Sequence, residues 1–156
     1  MFEIKKDSRV GIVTGSTSDK AIVDKVTSVL DEFGIVWEWN VLSAHRTPNK
    51  VARYAKDAEE RGLHVIVGIA GLAAALPGVL AAYTTLPVIG VPGDGGPLQG
   101  ADALHSIVQM PPGIPVATVG IGNGQNAAYL AISILSLQDA ELKSQLKSYR
   151  QSLGDI

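Results

Sequence analysis

Two short polar clusters carry side chains able to do chemistry. Ser43-Ala-His-Arg-Thr-Pro48 sets an imidazole beside a guanidinium. Imidazole titrates near neutral pH, so His45 is a candidate acid and base. Arg46 offers a planar fork for phosphate or carboxylate. Gly15-Ser-Thr-Ser-Asp19 offers backbone N–H groups and three hydroxyls just before a helical pattern, a setting that suits phosphate. It lacks the glycine and lysine spacing of a triphosphate loop. Asp19 speaks against a triphosphate and for a hydroxyl partner such as a ribose. Each cluster also has a plainer reading, a capped turn for the first and a surface loop for the second. The presence of His45, Ser43 and Arg46 together after an apolar run, opposite another Ser-rich turn, favours a functional reading.

Other segments are less specific. Ala70-Gly-Leu-Ala-Ala-Ala-Leu-Pro-Gly78 has almost no side-chain chemistry, but its small residues let a flat ligand approach the backbone of Ala70, Gly71 and Leu76. They serve tight packing equally well. Gly122-Asn-Gly-Gln-Asn-Ala127 formally matches a dinucleotide fingerprint. No later strand carries the acidic residue such a site needs about 20 residues on, so the segment reads as the start of a packed helix. His64 and His105 read as structural. No His, Asp and Glu set has metal spacing.

The elements that must hold these clusters follow from periodicity. Short apolar runs at 9–14, 35–42, 65–69, 88–91 and 116–119 read as strands. Helical spacing links Ile22, Val26, Val29, Leu30 and Phe33, with Gly34 as the stop and Ser18 or Asp19 as the N-cap. Thr47 and Pro48 open a second helix that runs to Gly62. Further helices are expected over the Ala-rich stretch to Tyr83, with Pro77 near its start, over 101–108 and over 127–137. A charged amphipathic helix closes the chain at about 139–153. Strands alternating with helices imply a parallel sheet covered on both faces, in one domain spanning 1–156. Each polar cluster directly follows a strand, and open α/β sheets bind ligands outside the carboxyl ends of their strands. The Gly93–Gly100 loop is a further candidate for the same edge.

Composition bounds the alternatives. The chain has 156 residues, 46% hydrophobic and 18% charged, which suits a globule and not a disordered segment. A net charge of −2 supplies no basic excess for nucleic acid. The absence of Cys excludes thiol catalysis and fits the cytoplasm. No secretory signal is read at the N-terminus. The stretch from Gly62 to Gly93 lacks Asp, Glu, Lys and Arg, but glycines and prolines cut it into pieces too short to span a membrane.

Six strings together resemble the PurE family of purine biosynthesis: Gly15-Ser-Thr-Ser-Asp19, Ser43-Ala-His-Arg-Thr-Pro48, Ala74-Ala-Leu-Pro-Gly78, Pro87-Val-Ile-Gly-Val-Pro92, Ser106-Ile-Val-Gln-Met-Pro111 and Gly113-Ile-Pro-Val-Ala-Thr118. The likeness runs from about Val10 to Leu137 and favours that family's N5-carboxyaminoimidazole ribonucleotide mutases over its carboxylases. It implies a flavodoxin-like three-layer sandwich with a five-stranded parallel sheet and a C-terminal helix. It also implies a homo-octamer, a small nucleotide substrate, and neither metal nor organic cofactor. By the same likeness Gly15, Ser16, Ser18, Asp19, Ser43 and Arg46 hold phosphate and ribose, and His45 is the acid/base. Ala70, Gly71 and Leu76 then wrap the imidazole and the migrating carboxylate. One position departs: Ala75 stands where the family turn carries His. That departure leaves two other readings open, a paralogous carboxylase or decarboxylase and a catalytically impaired binding or assembly homologue.

Overall fold

The apolar runs form strands because most of them are buried on both faces, as an all-parallel sheet requires. In the computed structural model, which describes residues 2–154, five strands lie parallel in the order β2-β1-β3-β4-β5. β1 is Val10–Thr14, β2 Trp37–Val41, β3 Val65–Ala70, β4 Val88–Pro92 and β5 Ala117–Thr118. The helices are α1 Lys20–Glu32, α2 Pro48–Asp57, α3 Leu76–Ala82, α4 Ala101–Val108, α5 Gly124–Leu135 and α6 Ala140–Ser152. This is the expected flavodoxin-like sandwich. Residues 1, 155 and 156 of the expected domain lie outside the described residues.

Alternation along the strands builds two cores. Val10, Ile12, Val65, Val67, Ile69, Ile89 and Val91 pack with α1, α5 and α6. Val13, Ile66, Ala70 and Val88 pack with α2, α3 and α4 on the other face. On that second face Gly11, Gly68 and Gly90 replace side chains. A methyl on Gly68 would stand 3.2 Å from Pro77 Cα, and one on Gly90 would stand 2.9 Å from Val116. α3 therefore rests directly on the sheet, and the turn before it is held close to the strand ends.

Several boundaries differ from expectation, each for a local reason. β5 shrinks to two residues at the sheet edge, where Pro111, Pro112, Gly113 and Pro115 precede it. α2 stops at Asp57, and residues 59–62 form turns. α3 starts at Leu76, with Pro77 near its start as expected; Ala74, at φ 38°, lies outside the helical range just before it. α5 starts earlier than expected, since the Asn123 side chain accepts a bond from the Asn126 N–H. Asp19 occupies the N-cap of α1, as expected, but makes no side-chain cap bond; the capping oxygen at this crossover is that of Ser16, which accepts from the Ser18 N–H at the start of the 3-10 turn Thr17–Asp19. Much of the Ala-rich 72–82 stretch is consumed inside the chain: Ala74, Leu76, Pro77, Leu80 and Ala81 are buried.

α2 is fastened to β2 by a buried polar cluster. Glu38 on β2 accepts bonds from Tyr54 Oη at 2.8 Å and from Arg61 Nη2 at 2.9 Å. The Glu38 side chain is 2% exposed and that of Arg61 15%. Burial, followed by the neighbouring Glu38 charge, drives the Tyr54 hydroxyl well above its ordinary range, so it stays a donor. The cluster matters to the site because the His45 loop runs between these two elements. Replacing Arg61 with Met strands a buried carboxylate and should cost about 3–5 kcal/mol in urea unfolding. Replacing Glu38 with Leu as well should recover much of that loss. A single variant as stable as the parent would show that the ion pair does not hold β2 and α2 together.

Candidate active site

The sheet order creates the site. β1 hands the chain to β2 on one side through α1, whereas β3 hands it to β4 on the other through α3. α1 and α3 cover opposite faces, so the loops after β1 and β3 part and leave a crevice at the carboxyl edge. A cleft of about 600 Å³ opens there, walled by the loops that follow β1, β2, β3 and β4. All ten site residues expected from the sequence line it: Gly15, Ser16, Ser18, Asp19, Ser43, His45, Arg46, Ala70, Gly71 and Leu76. His64, at the opposite end of β3, and His105, on α4, do not.

The loop after β2 is bound tightly to itself and to its neighbour. Ser43 N–H donates to Thr47 Oγ1 at 3.0 Å, while the Thr47 N–H and hydroxyl both donate to the Ser43 carbonyl. Thr47 thus spends its hydroxyl on closing this loop and makes no side-chain cap for α2, although it sits at the N-cap position. Ser43 Oγ accepts from the Arg46 N–H at 3.2 Å. Arg46 Nη2 then donates to the Gly15 carbonyl at 2.8 Å, joining the second crossover loop to the first. That bond uses one N–H of a five-donor fork. His45 lies between these two anchored residues. Its side chain is solvent-exposed in the single chain, yet it lines the cleft together with the Ser16–Asp19 turn.

The loop after β4 contributes more than its glycine content suggested. Gly93 N–H donates to the Ala70 carbonyl at 2.8 Å, which prolongs the β3–β4 pairing to the cleft floor. A methyl on Gly93 would meet the Gly71 backbone at 3.3 Å, so glycine at 93 lets the two backbones approach closely. Asp94 then faces the cleft; its loop was a candidate for this edge, but the residue was not singled out. Its one sequence signal is a lone carboxylate within Gly93-Asp-Gly-Gly96 directly after a strand. Burial pushes the Asp19 carboxyl above the usual carboxylate range; the Ser16 N–H opposes this and the Asp94 charge adds to it. Opposite Asp94 the wall is apolar. Ala75 lines the cleft at the N-cap of α3, and its backbone (φ −68°, ψ −20°) is open to any L-residue.

The arrangement is suited to a small anionic nucleotide. Donors gather at Arg46 and the 15–19 turn, an acceptor pair sits at Asp19 and Asp94, an imidazole stands at the mouth, and a wall of small apolar residues completes the cleft. A flat ring would find backbone and methyl groups at Ala70, Gly71, Ala74 and Ala75.

A family model described as AIR carboxylase matches residues 9–155. The N5-carboxyaminoimidazole ribonucleotide mutase of Pyrococcus abyssi is 54% identical over 145 residues, covering 93% of this chain and 83% of that protein. The mutase of the same name from Thermotoga maritima is 51% identical over 145 residues, covering 93% and 85%. Among solved structures, a crystal structure of Treponema denticola PurE superposes with a TM-score of 0.83 at 36% identity, covering 92% of this chain and 89% of that one.

The Asp19–Asp94 pair gives a measurable consequence. A carboxyl raised by folding contributes stability below its unfolded pKa, and that contribution is lost as pH rises through the folded one. Asp94→Asn should therefore lower the Asp19 midpoint, while burial keeps it above the ordinary range. A carbon NMR titration of the Asp19 side chain reads this directly. An unmoved midpoint would mean the two carboxylates do not share a field.

Proposed function

The chain belongs to the AIR carboxylase family, and from that membership and the cleft we infer that it is an N5-carboxyaminoimidazole ribonucleotide mutase. It is an isomerase that moves a carboxylate from an exocyclic nitrogen to the adjacent ring carbon. The similarity to named mutases over nearly the whole chain favours this reading over a decarboxylase or a silent homologue. The observation that carries the mechanism is the Arg46–Gly15 bond, which holds His45 beside the Ser16–Asp19 turn in one cleft.

We propose the following roles. Arg46, Ser16, Ser18 and Ser43 grip the phosphate, with the Gly15 backbone shaping the turn, and Asp19 accepts from a ribose hydroxyl. These contacts hold the ring against Ala70, Gly71 and Leu76, so that the reacting atoms meet without further search. Protonated His45 gives its proton to the exocyclic nitrogen as the N–C bond breaks. The bond's electrons stay on nitrogen, and neutral CO2 and the aminoimidazole nucleotide remain in the cleft. The electron-rich ring carbon then attacks CO2 and forms the new C–C bond. The neutral imidazole removes the proton from that carbon, and His45 ends as it began. No net proton enters or leaves, as an isomerisation requires.

Two further features belong to this proposal. A homo-octamer follows from the family resemblance. The exposed apolar side chains Leu98, Val108 and Ile121 support association of some kind. The Ala-rich stretch at 72–82 adds little to that support, because so much of it is spent in the chain's own core. A cytoplasmic location is proposed from the substrate, a phosphorylated intermediate of nucleotide synthesis. Among the described residues no helix is long and apolar enough to cross a membrane.

His45→Asn should bind the nucleotide nearly as well as the parent but turn over about 10²–10⁴-fold more slowly. Calorimetry and a carbamate-to-carboxylate assay read the two quantities separately, and a fully active variant would remove His45 from the mechanism. Ala75→His fits the backbone at the cleft wall and supplies a donor near the migrating carboxylate, so turnover should rise. A fall in turnover would show that the cleft is fitted to the methyl group.

A further inference from the structure

The turn between β3 and α3 holds a leucine in a conformation that disfavours it. Leu72 has φ 55° and Ala74 φ 38°, both in the left-handed region where a Cβ crowds the backbone. A glycine would occupy the Leu72 position without strain. The leucine gains little from burial in return, since it is 54% exposed. Strain held at the lip of a cleft, on a residue that does little for the core, calls for a role in the cleft.

The side chain's position suggests that role. Leu72 reaches from the β3 lip to the β4 lip and rests against Gly96. A methyl on Gly96 would collide with the Leu72 side chain, so glycine there is what admits the contact. Both residues line the cleft. Behind them, from Ala70 to Ala82, no side chain carries a polar group. Neutral CO2 generated against this wall meets no side-chain donor from this segment, so enclosure is what its side chains can offer to delay escape. The Leu72–Gly96 contact is an apolar strap between the two lips.

We propose that Leu72 is the residue that retains CO2 between the two half-reactions, by closing the β3 and β4 lips over the apolar wall. This rests on the mutase reading and adds to it a determinant of carboxylate transfer over exchange. Leu72 touches neither the phosphate nor the ribose groups proposed above. Its loss therefore affects the fate of CO2 and leaves nucleotide binding alone.

The test supplies carbamate substrate labelled with carbon-13 at its carboxylate, in buffer equilibrated with unlabelled CO2 and bicarbonate. Label in the ring-carboxylated product is read by mass spectrometry. The parent should keep most of its label. Leu72→Gly, which removes strain and an exposed side chain, should fold, bind with a similar KM and lose label several-fold. Leu72→Met, which keeps an apolar side chain of similar reach, should retain it. Full retention in Leu72→Gly, or equal loss in Leu72→Met, overturns the proposal. A parent that turns over but retains no label overturns it too, and leaves the mutase reading standing. A parent with no turnover of the carbamate overturns the mutase reading itself.

Discussion

A single hydrogen bond, from the Arg46 guanidinium to the Gly15 carbonyl, converts two separate crossover loops into one binding surface. The loops leave adjacent parallel strands and have no ladder beyond Leu42 N–H to Thr14 O to hold them in register. Without a tie, each would move as surface loops do. With it, His45 is flanked by residues anchored on both sides. A guanidinium suits the position because one N–H can serve the protein while the rest of the fork serves an anion. The same residue therefore builds the site and fills it.

The forces behind this bond are arranged in layers. Glu38, Tyr54 and Arg61 fix α2 to β2 and so set where the connecting loop begins and ends. Gly68 lets α3 sit on the sheet, and the paired Gly71 and Gly93 bring the next two loops within backbone contact. Polar interactions thus organise the half of the cleft formed by the 15–19 and 43–46 loops. Missing side chains organise the half formed by the 70–76 turn. That division suits a reaction whose substrate is anionic at one end and whose intermediate is neutral at the other.

Electrostatics divides along the same line. The positive fork of Arg46 and the backbone N–H groups of the first turn favour a phosphate. Asp19 and Asp94 keep a second region rich in acceptors, and the raised Asp19 carboxyl reflects burial at that spot. Such a split field orients any ligand that carries an anionic group at one end and hydroxyl or amine groups at the other. Orientation of that kind supplies much of what a reaction with no strong electrophile in the protein requires.

The sequence by itself determined the fold class and picked out ten of the residues that line the cleft. It could do so because parallel strands must be apolar on both faces and because ligand loops must follow strand ends; both rules leave local marks, such as Val65–Ile69 followed by Ala70-Gly71. The family strings made the activity legible in the same way. Tertiary structure alone decided the rest. The Arg46–Gly15 tie, the Asp94 charge beside Asp19 and the Leu72–Gly96 contact each join residues from different crossovers, and no local pattern records such pairs. The short β5 and the Thr47 hydroxyl turned back to Ser43 were likewise settled by competition between neighbours. A hydroxyl or a backbone N–H takes the partner that packing brings nearest, and sequence spacing does not say which partner that is.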